Sequence, residues 1–223
     1  MALLHRAEIR PTKLELLATW LPRRRWFAGE ADAAVTRVAA YRFDDPEGRV
    51  GIETLLVRAG SGPILQVPLT YRGAPLDGAQ SWLVGTFEHS VLGRRWVYDA
   101  CGDPVYAAAL AGAILADTGQ AEEYFESDGR REHRAPSMGI AADGGRALAG
   151  GGLAADGGPG LDVGGIGAVE RVADGDPTRI RTGAVELAVL RLLGGDTAPG
   201  GARLTGTWKG QPTPLPLAYA TPR

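Results

Sequence analysis

The sequence predicts an α+β protein: a curved antiparallel β-sheet packed with helices, followed by a small antiparallel β unit. Three observations lead there. Val35–Phe43, Val50–Arg58 and Ile64–Tyr71 are rich in strand formers, and short turns join them, as in an antiparallel meander. Two helix patterns flank this meander, and a helix laid across a sheet covers its apolar face. The 33 glycines and 15 prolines, about a fifth of the chain, then mark a turn-rich second half that ends in further strand patterns.

The elements follow in order. Residues 11–21, PTKLELLATWL, form a short amphipathic helix, with Leu14, Leu17 and Leu21 at helical spacing and Leu16 and Trp20 widening the stripe. Thr12 and Glu15 fit a capping box, in which hydroxyl and carboxylate each meet a free backbone N–H. Pro22 stops the helix, and Arg23, Arg24 and Arg25 suit its negative C-terminal end. Asp44-Asp45-Pro46-Glu47-Gly48 and Gly60-Ser61-Gly62-Pro63 are the turns of the meander. Residues 82–98 mix aromatics, glycine and charge, and fit either a strand pair or an irregular loop with helical turns. Asp103 as N-cap and Pro104 at the first helical position open an Ala-rich helix with apolar residues at 105, 109, 110, 113 and 114. Residues 117–162 shift to charged and Gly-rich composition, a linker with weak strands. Strands return at Ala168–Ala173, at Arg179–Leu193 with a break near Gly183, and at Ala202–Lys209. The Pro-rich QPTPLP precedes a last short strand, Leu217–Ala220.

Charge and composition exclude several classes. A net charge of −2 offers no global attraction to nucleic acid or acidic membranes. All but two of the 24 basic residues are arginine, which codon bias explains more simply than a phosphate-binding role. A single cysteine, Cys101, allows no intrachain disulfide. No apolar run approaches the ~20 residues of a membrane span, and the start of the chain does not read as a signal peptide. A cytoplasmic location is the expectation.

The chemistry-bearing residues are few. His5, His89 and His133 are far apart with no second cysteine, so no metal site is expected. No G-x-S-x-G elbow, Walker loop or G-x-G-x-x-G fingerprint occurs, so no catalytic nucleophile and no cofactor are expected. Two clusters stand out. Glu88, His89, Arg94, Arg95, Asp99 and Asp103, interleaved with Phe87, Trp96 and Tyr98, form either a polar pocket with a carboxylate–histidine pair or a loop pinned by Trp96. The second is Arg23, Arg24, Arg25, Trp26 and Phe27. It is either an exposed recognition patch for a partner or a helix end with Trp26 turned inward.

LPRRRWFAG (Leu21–Gly29), just after a short helix, resembles the L-x-x-Q/R-R-W-Y/F-A-G segment of the N-terminal cap of bacterial maltokinases. LVGTFEHS, then RRWVYDACGDPVY (Arg94–Tyr106), then an apolar helix, resemble the Gly-containing segment, the "YD" signature with its following Pro and the apolar helix of that cap. Order and spacing agree from about residue 10 to 118. TRIRTGAVELAVLRLL and GTWKGQPTPLPLA resemble the β-rich intermediate part of the same lobe. The match extends to short free-standing cap-like proteins beside trehalose and glycogen genes, some carrying a 1,4-α-glucan branching label. The resemblance implies a cystatin-like topology in a cap-like domain at 1–125. A Gly-rich connector with weak strands would follow at 126–165, and a small β-rich unit at 166–223.

The departures from the family bear on activity. The resemblance implies an ATP-dependent kinase lysine in a strand of the type L-K-V-F-R, and here Leu187-Ala188-Val189-Leu190-Arg191 puts Ala188 in its place. No H-x-D motif occurs and no C-terminal lobe follows, so kinase activity is not expected of this chain, which lacks groups phosphoryl transfer cannot omit. A branching enzyme's (β/α)₈ barrel needs ~250 residues of alternating units, which is absent too. The expected role is therefore a non-catalytic accessory or regulatory module. Its partner would be a protein of trehalose or α-glucan metabolism. Two alternatives stand beside it. One is an α-glucan or disaccharide binder that stacks sugars on tryptophans 20, 26, 82, 96 and 208. The other is an enzyme built on Glu88, His89, Asp99 and Asp103.

Overall fold

The computed structural model describes residues 2–4, 7–30, 32–127, 130–144, 168–195 and 199–223. The chain runs β1 (Ala2–Leu4), β2 (Ile9–Arg10), α1 (Lys13–Trp20), β3 (Val35–Phe43), β4 (Gly51–Ala59), β5 (Leu65–Arg72), β6 (Leu83–His89), β7 (Gly93–Asp99) and α2 (Pro104–Leu115). It continues through β8 (Glu123–Ser127), β9 (Arg130–Arg134), β10 (Met138–Asp143), β11 (Val169–Ala173), β12 (Thr178–Thr182), β13 (Val185–Val189), β14 (Ala202–Trp208) and β15 (Gln211–Pro222).

Two six-stranded antiparallel sheets dominate. The first, a curled half-barrel, has the order β2-β6-β7-β5-β4-β3, and the second β10-β14-β15-β13-β12-β11. A third, three-stranded sheet pairs β1 parallel to β8 and closes β8 and β9 as a hairpin. The protein is thus mostly β with two helices.

The expected meander is present as β3, β4 and β5. The uncertain stretch 82–98 forms the β6–β7 hairpin after a 3-10 turn at Gln80–Trp82. Gly85 is needed there, because a Cβ would stand 2.8 Å from Leu16 Cδ2 on α1. The second sheet is larger than the small unit expected. It recruits Met138–Asp143 from the Gly-rich connector to pair with β14, and residues 145–165 of that connector lie outside the described residues. QPTPLP lies inside β15 rather than before it. Prolines at 212, 214 and 216 alternate, so their missing N–H groups fall on one side of the strand. Here β15 pairs with β14, while β13 joins only from Ala218 to Pro222.

Both faces of the curled sheet are covered. On one face α1 and the following turn bury Leu17, Trp20 and Leu21 against Leu55, Val57, Val67, Leu69 and Phe87. Each such side chain contributes about 1.5–3 kcal/mol on leaving water. Thr12 and Glu15 form the capping box: Glu15 Oε2 accepts the Thr12 N–H at 2.7 Å, and Thr12 Oγ1 accepts the Glu15 N–H at 3.3 Å. On the other face α2 inserts between the sheets. Tyr106, Leu110 and Ile114 meet Tyr41, Phe43, Ile52 and Leu56 of the first sheet and Leu187, Leu204 and Leu217 of the second in one continuous core. α2 is apolar nearly all round because sheet lies on both sides of it.

Candidate functional site

The polar cluster found in the sequence is not gathered into one pocket. Glu88 and Arg94 pair across the β6–β7 hairpin at 2.8 Å, and both side chains are about 60% exposed. His89 is the next residue along the strand and so projects to the opposite face. Its Nδ1 accepts the N–H groups of Val91 and Leu92 at 3.2 and 3.1 Å, and its ring lies 6.4 Å from Phe87. Arg95 packs over Gly73. Asp103 is buried at the N-terminus of α2, where it accepts the Val105 N–H and both Nε and Nη2 of Arg72 at 2.7 Å. Asp99 is buried elsewhere, in the seam described below.

The arginine–aromatic segment divides likewise. Arg23 and Arg25 are exposed, and the Arg24 guanidinium lies 4.8 Å over the Trp20 ring. Phe27 is half-buried, while Trp26 turns inward, edge-on to Trp20 at 5.9 Å. Only the flanking arginines face solvent.

Trp26 turns toward a concentrated polar seam. Arg191, just after β13, is wholly buried. Its guanidinium lies 4.7 Å over the Trp26 ring, donates through Nη2 to Asp99 Oδ2 at 2.7 Å and through Nε to Thr178 Oγ1 at 2.7 Å. Trp26 Nε1 donates to Asp174 and the Arg191 N–H donates to Asp176. Burial alone would lower the Arg191 pKa, but the Asp99 carboxylate outweighs it and holds the charge in place. Next to this seam, Gln66 of β5 donates its side-chain amide to the carbonyls of Leu190 and Leu217, and its backbone N–H to Arg191. The two sheets are thereby sewn together. Arg191 carried no local signal in the sequence. Its partners come from segments up to 165 residues away, and only the pattern LAVLR marked the strand.

A second buried charge cluster lies inside the curl of the first sheet. Glu53 of β4 accepts from Lys13 Nζ and from Tyr71 Oη, the latter at 2.7 Å, and lies 3.3 Å from Arg42. Burial would raise the Glu53 pKa, but Arg42 and Lys13 outweigh it and hold the carboxyl far below its usual range. Burial lowers the Lys13 pKa against the pull of Glu53. Among the described residues no group of three or more His, Cys, Asp or Glu side chains is placed to hold a metal ion. His5 lies outside the described residues. None of the described helices is long and apolar enough to cross a membrane.

The tryptophans offer no paired stacking face. Trp20, Trp26 and Trp208 are buried, and Trp82 and Trp96 are half-buried. A cleft of about 1080 Å³ lies between α2 and the β3–β4 turn, lined by Val105, Ala109 and Gly112 and by Arg49, Arg72 and Arg95.

A mostly β protein of two antiparallel sheets clamped on a central helix, with a curled N-terminal half-barrel, is the class this architecture defines. Residues 20–103, from the end of α1 to the N-cap of α2, match the maltokinase N-terminal cap domain, and this chain therefore carries such a cap domain. No curated protein matches the chain. The matched segment contains Trp26 and Asp99, while Arg191, which they hold, lies outside it.

Proposed function

We propose that this chain is a non-catalytic, cap-type accessory module that works with a protein partner in trehalose or α-glucan metabolism. The cap domain at residues 20–103 carries the reading, since it links the chain to trehalose and maltose metabolism. The position expected to hold a kinase lysine supports the non-catalytic part. Ala188 there is buried, paired to Arg179 and Tyr219 in the second sheet. An alanine can neither neutralise nor orient a nucleotide phosphate.

The two alternatives have less support. Direct α-glucan or disaccharide binding by ring stacking needs exposed coplanar aromatics, and three of the five tryptophans are buried. Acid–base chemistry at Glu88 and His89 needs convergent side chains, and these diverge. The test is binding of the purified protein to purified trehalose synthase and glycogen-pathway enzymes from the same source, read by native mass spectrometry. A stoichiometric complex with one of them supports the proposal. Monomer in every mixture, or phosphorylation of maltose by this chain with ATP, overturns it.

A further inference from the structure

Two turns of the first sheet are closed in the same way by different chemistry. In the β3–β4 turn the Asp45 carboxylate accepts the N–H groups of Glu47, Arg49 and Val50. In the β6–β7 hairpin, His89 pairs with Gly93 and the two enclose a tip of Ser90, Val91 and Leu92. There the acceptor is an imidazole, since His89 Nδ1 takes the N–H groups of Val91 and Leu92, two and three positions on. Accepting from the backbone just ahead is the usual device of Asp and Asn in turns. A carboxylate keeps its lone pairs above about pH 5, whereas an imidazole with its ordinary pKa of about 6.5 exchanges its one acceptor lone pair for an N–H in mild acid. Protonated Nδ1 would set a donor against two donors.

The rest of the tip is held by groups that do not titrate. Ser90 donates its N–H to the Glu8 carbonyl at 3.0 Å, and its Oγ accepts the Glu8 N–H at 3.1 Å. The root of the tip is therefore tied to the start of β2 in either state of the imidazole. Positions 91 and 92 depend on His89, and they carry exposed apolar side chains, Val91 at 59% and Leu92 at 44%.

Charged groups of both signs surround the ring. His89 lines a cavity of about 550 Å³ together with Lys13 of α1, Arg42 of β3, Tyr71 of β5 and Arg95 of β7. The β3–β4 turn brings Asp44, Asp45 and Arg49 to the same cavity. On the β2 side lie Glu8 and Arg10, which pair at 3.5 Å, and Glu88 pairs with Arg94 on the opposite face of the hairpin. These groups set the pH at which His89 takes its proton. They do not change what that proton does to the Val91 and Leu92 N–H groups.

We propose that the β6–β7 tip is a pH-sensitive element: neutral His89 fixes Val91 and Leu92, and protonation of Nδ1 releases them while Ser90 keeps the hairpin rooted. A contact made through the fixed Val91–Leu92 pair is then favoured at neutral pH and weakened in mild acid. The switch is independent of the partner role proposed above, so either can fail alone.

Amide hydrogen exchange of the full chain, followed by nuclear magnetic resonance from pH 8 to pH 5, tests it, with each rate divided by that of an unstructured peptide at the same pH. Val91 and Leu92 lose protection together, by about tenfold or more, with the midpoint of the His89 ring signal, while the Ser90 amide keeps its protection. At pH 8 the ¹⁵N shift of His89 Nδ1 is that of a nitrogen without a proton. His89→Asn offers an amide oxygen that does not titrate, so the response disappears, and His133→Asn leaves it intact. The Asn variant also separates His89 from Lys13, whose pKa burial lowers. Protection at Val91 and Leu92 that stays constant through the His89 titration, a proton on Nδ1 of the neutral ring, a response that survives His89→Asn, or one lost in His133→Asn would each overturn the proposal.

Discussion

Replacing Arg191 by Met tests whether the seam between the sheets holds the fold. Methionine fills much of the same space, so the change removes charge more than volume. It strands Asp99, whose side chain is 1% exposed, with the Cys101 N–H at 3.1 Å and the weakly donating Cys101 thiol as its remaining partners. Breaking a buried pair in this way costs about 3–5 kcal/mol. The lost stack on Trp26 adds to that, and the Arg191 Nη1, which has no acceptor among the described residues, offsets part of it. With a urea m-value of about 2–3 kcal/mol/M, a loss of about 4 kcal/mol lowers the unfolding midpoint by roughly 1.3–2 M. Equilibrium urea unfolding at pH 7, followed by far-ultraviolet circular dichroism, measures it. A second variant closes the cycle: with Asp99→Asn added, no carboxylate is stranded, so the double change loses less than the sum of the singles. A midpoint shift below about 0.5 M, or strictly additive singles, would refute the reasoning.

Glu53 makes stability depend on pH with a defined sign. Its folded pKa lies below the unfolded value of about 4.3, so its contribution is complete above that value and fades as pH falls through it. Glu53→Gln should cost about 2–3 kcal/mol at pH 7, less than a fully buried pair because Lys13 and Arg42 keep 24% and 12% of their exposure. It should also flatten the loss of stability between pH 5 and 3; melting curves for the two proteins that run parallel across that range would contradict this. Burial pushes the Cys101 thiol well above its usual range, so Ellman's reagent should label the protein only after denaturant is added, and prompt native labelling would show the residue accessible. Thr12→Ala removes one half of the capping box and should cost about 1 kcal/mol by thermal denaturation; an unchanged melting temperature would mean α1 is held by packing alone.

The sequence announced what is local. Thr12 with Glu15, and Asp103 with Pro104, are caps three residues or fewer across, and both helices begin where those pairs place them. The meander was legible because its turns have strong turn chemistry and its strands are neighbours. The β6–β7 hairpin was ambiguous because Gly85 weakens a strand pattern locally, and its purpose, room for Leu16, is visible only once α1 lies across the sheet. The second sheet was underestimated for a related reason. Met138 pairs with Trp208, seventy positions on, and nothing near Met138 declares that partner. The candidate site fared worst. Periodicity could not tell whether Trp26 faced in or out, and what settles the matter is Arg191 with Asp99, 92 residues apart.

The stitching of β5 to the last strands also sets an order of events at the ribosome. The first sheet and α2 are synthesised long before β13 and β15, whose neighbouring carbonyls at Leu190 and Leu217 receive the Gln66 amide. Until those strands emerge, the flank of α2 that will meet Leu187, Leu204 and Leu217 has nothing to rest on, and Arg191 is not there to meet Asp99. The nascent cap domain must wait with greasy surface showing, a condition that invites chaperones. Ribosome-stalled chains ending before residue 190 should therefore remain protease-sensitive, and resistance should come only once Leu217 has cleared the exit tunnel.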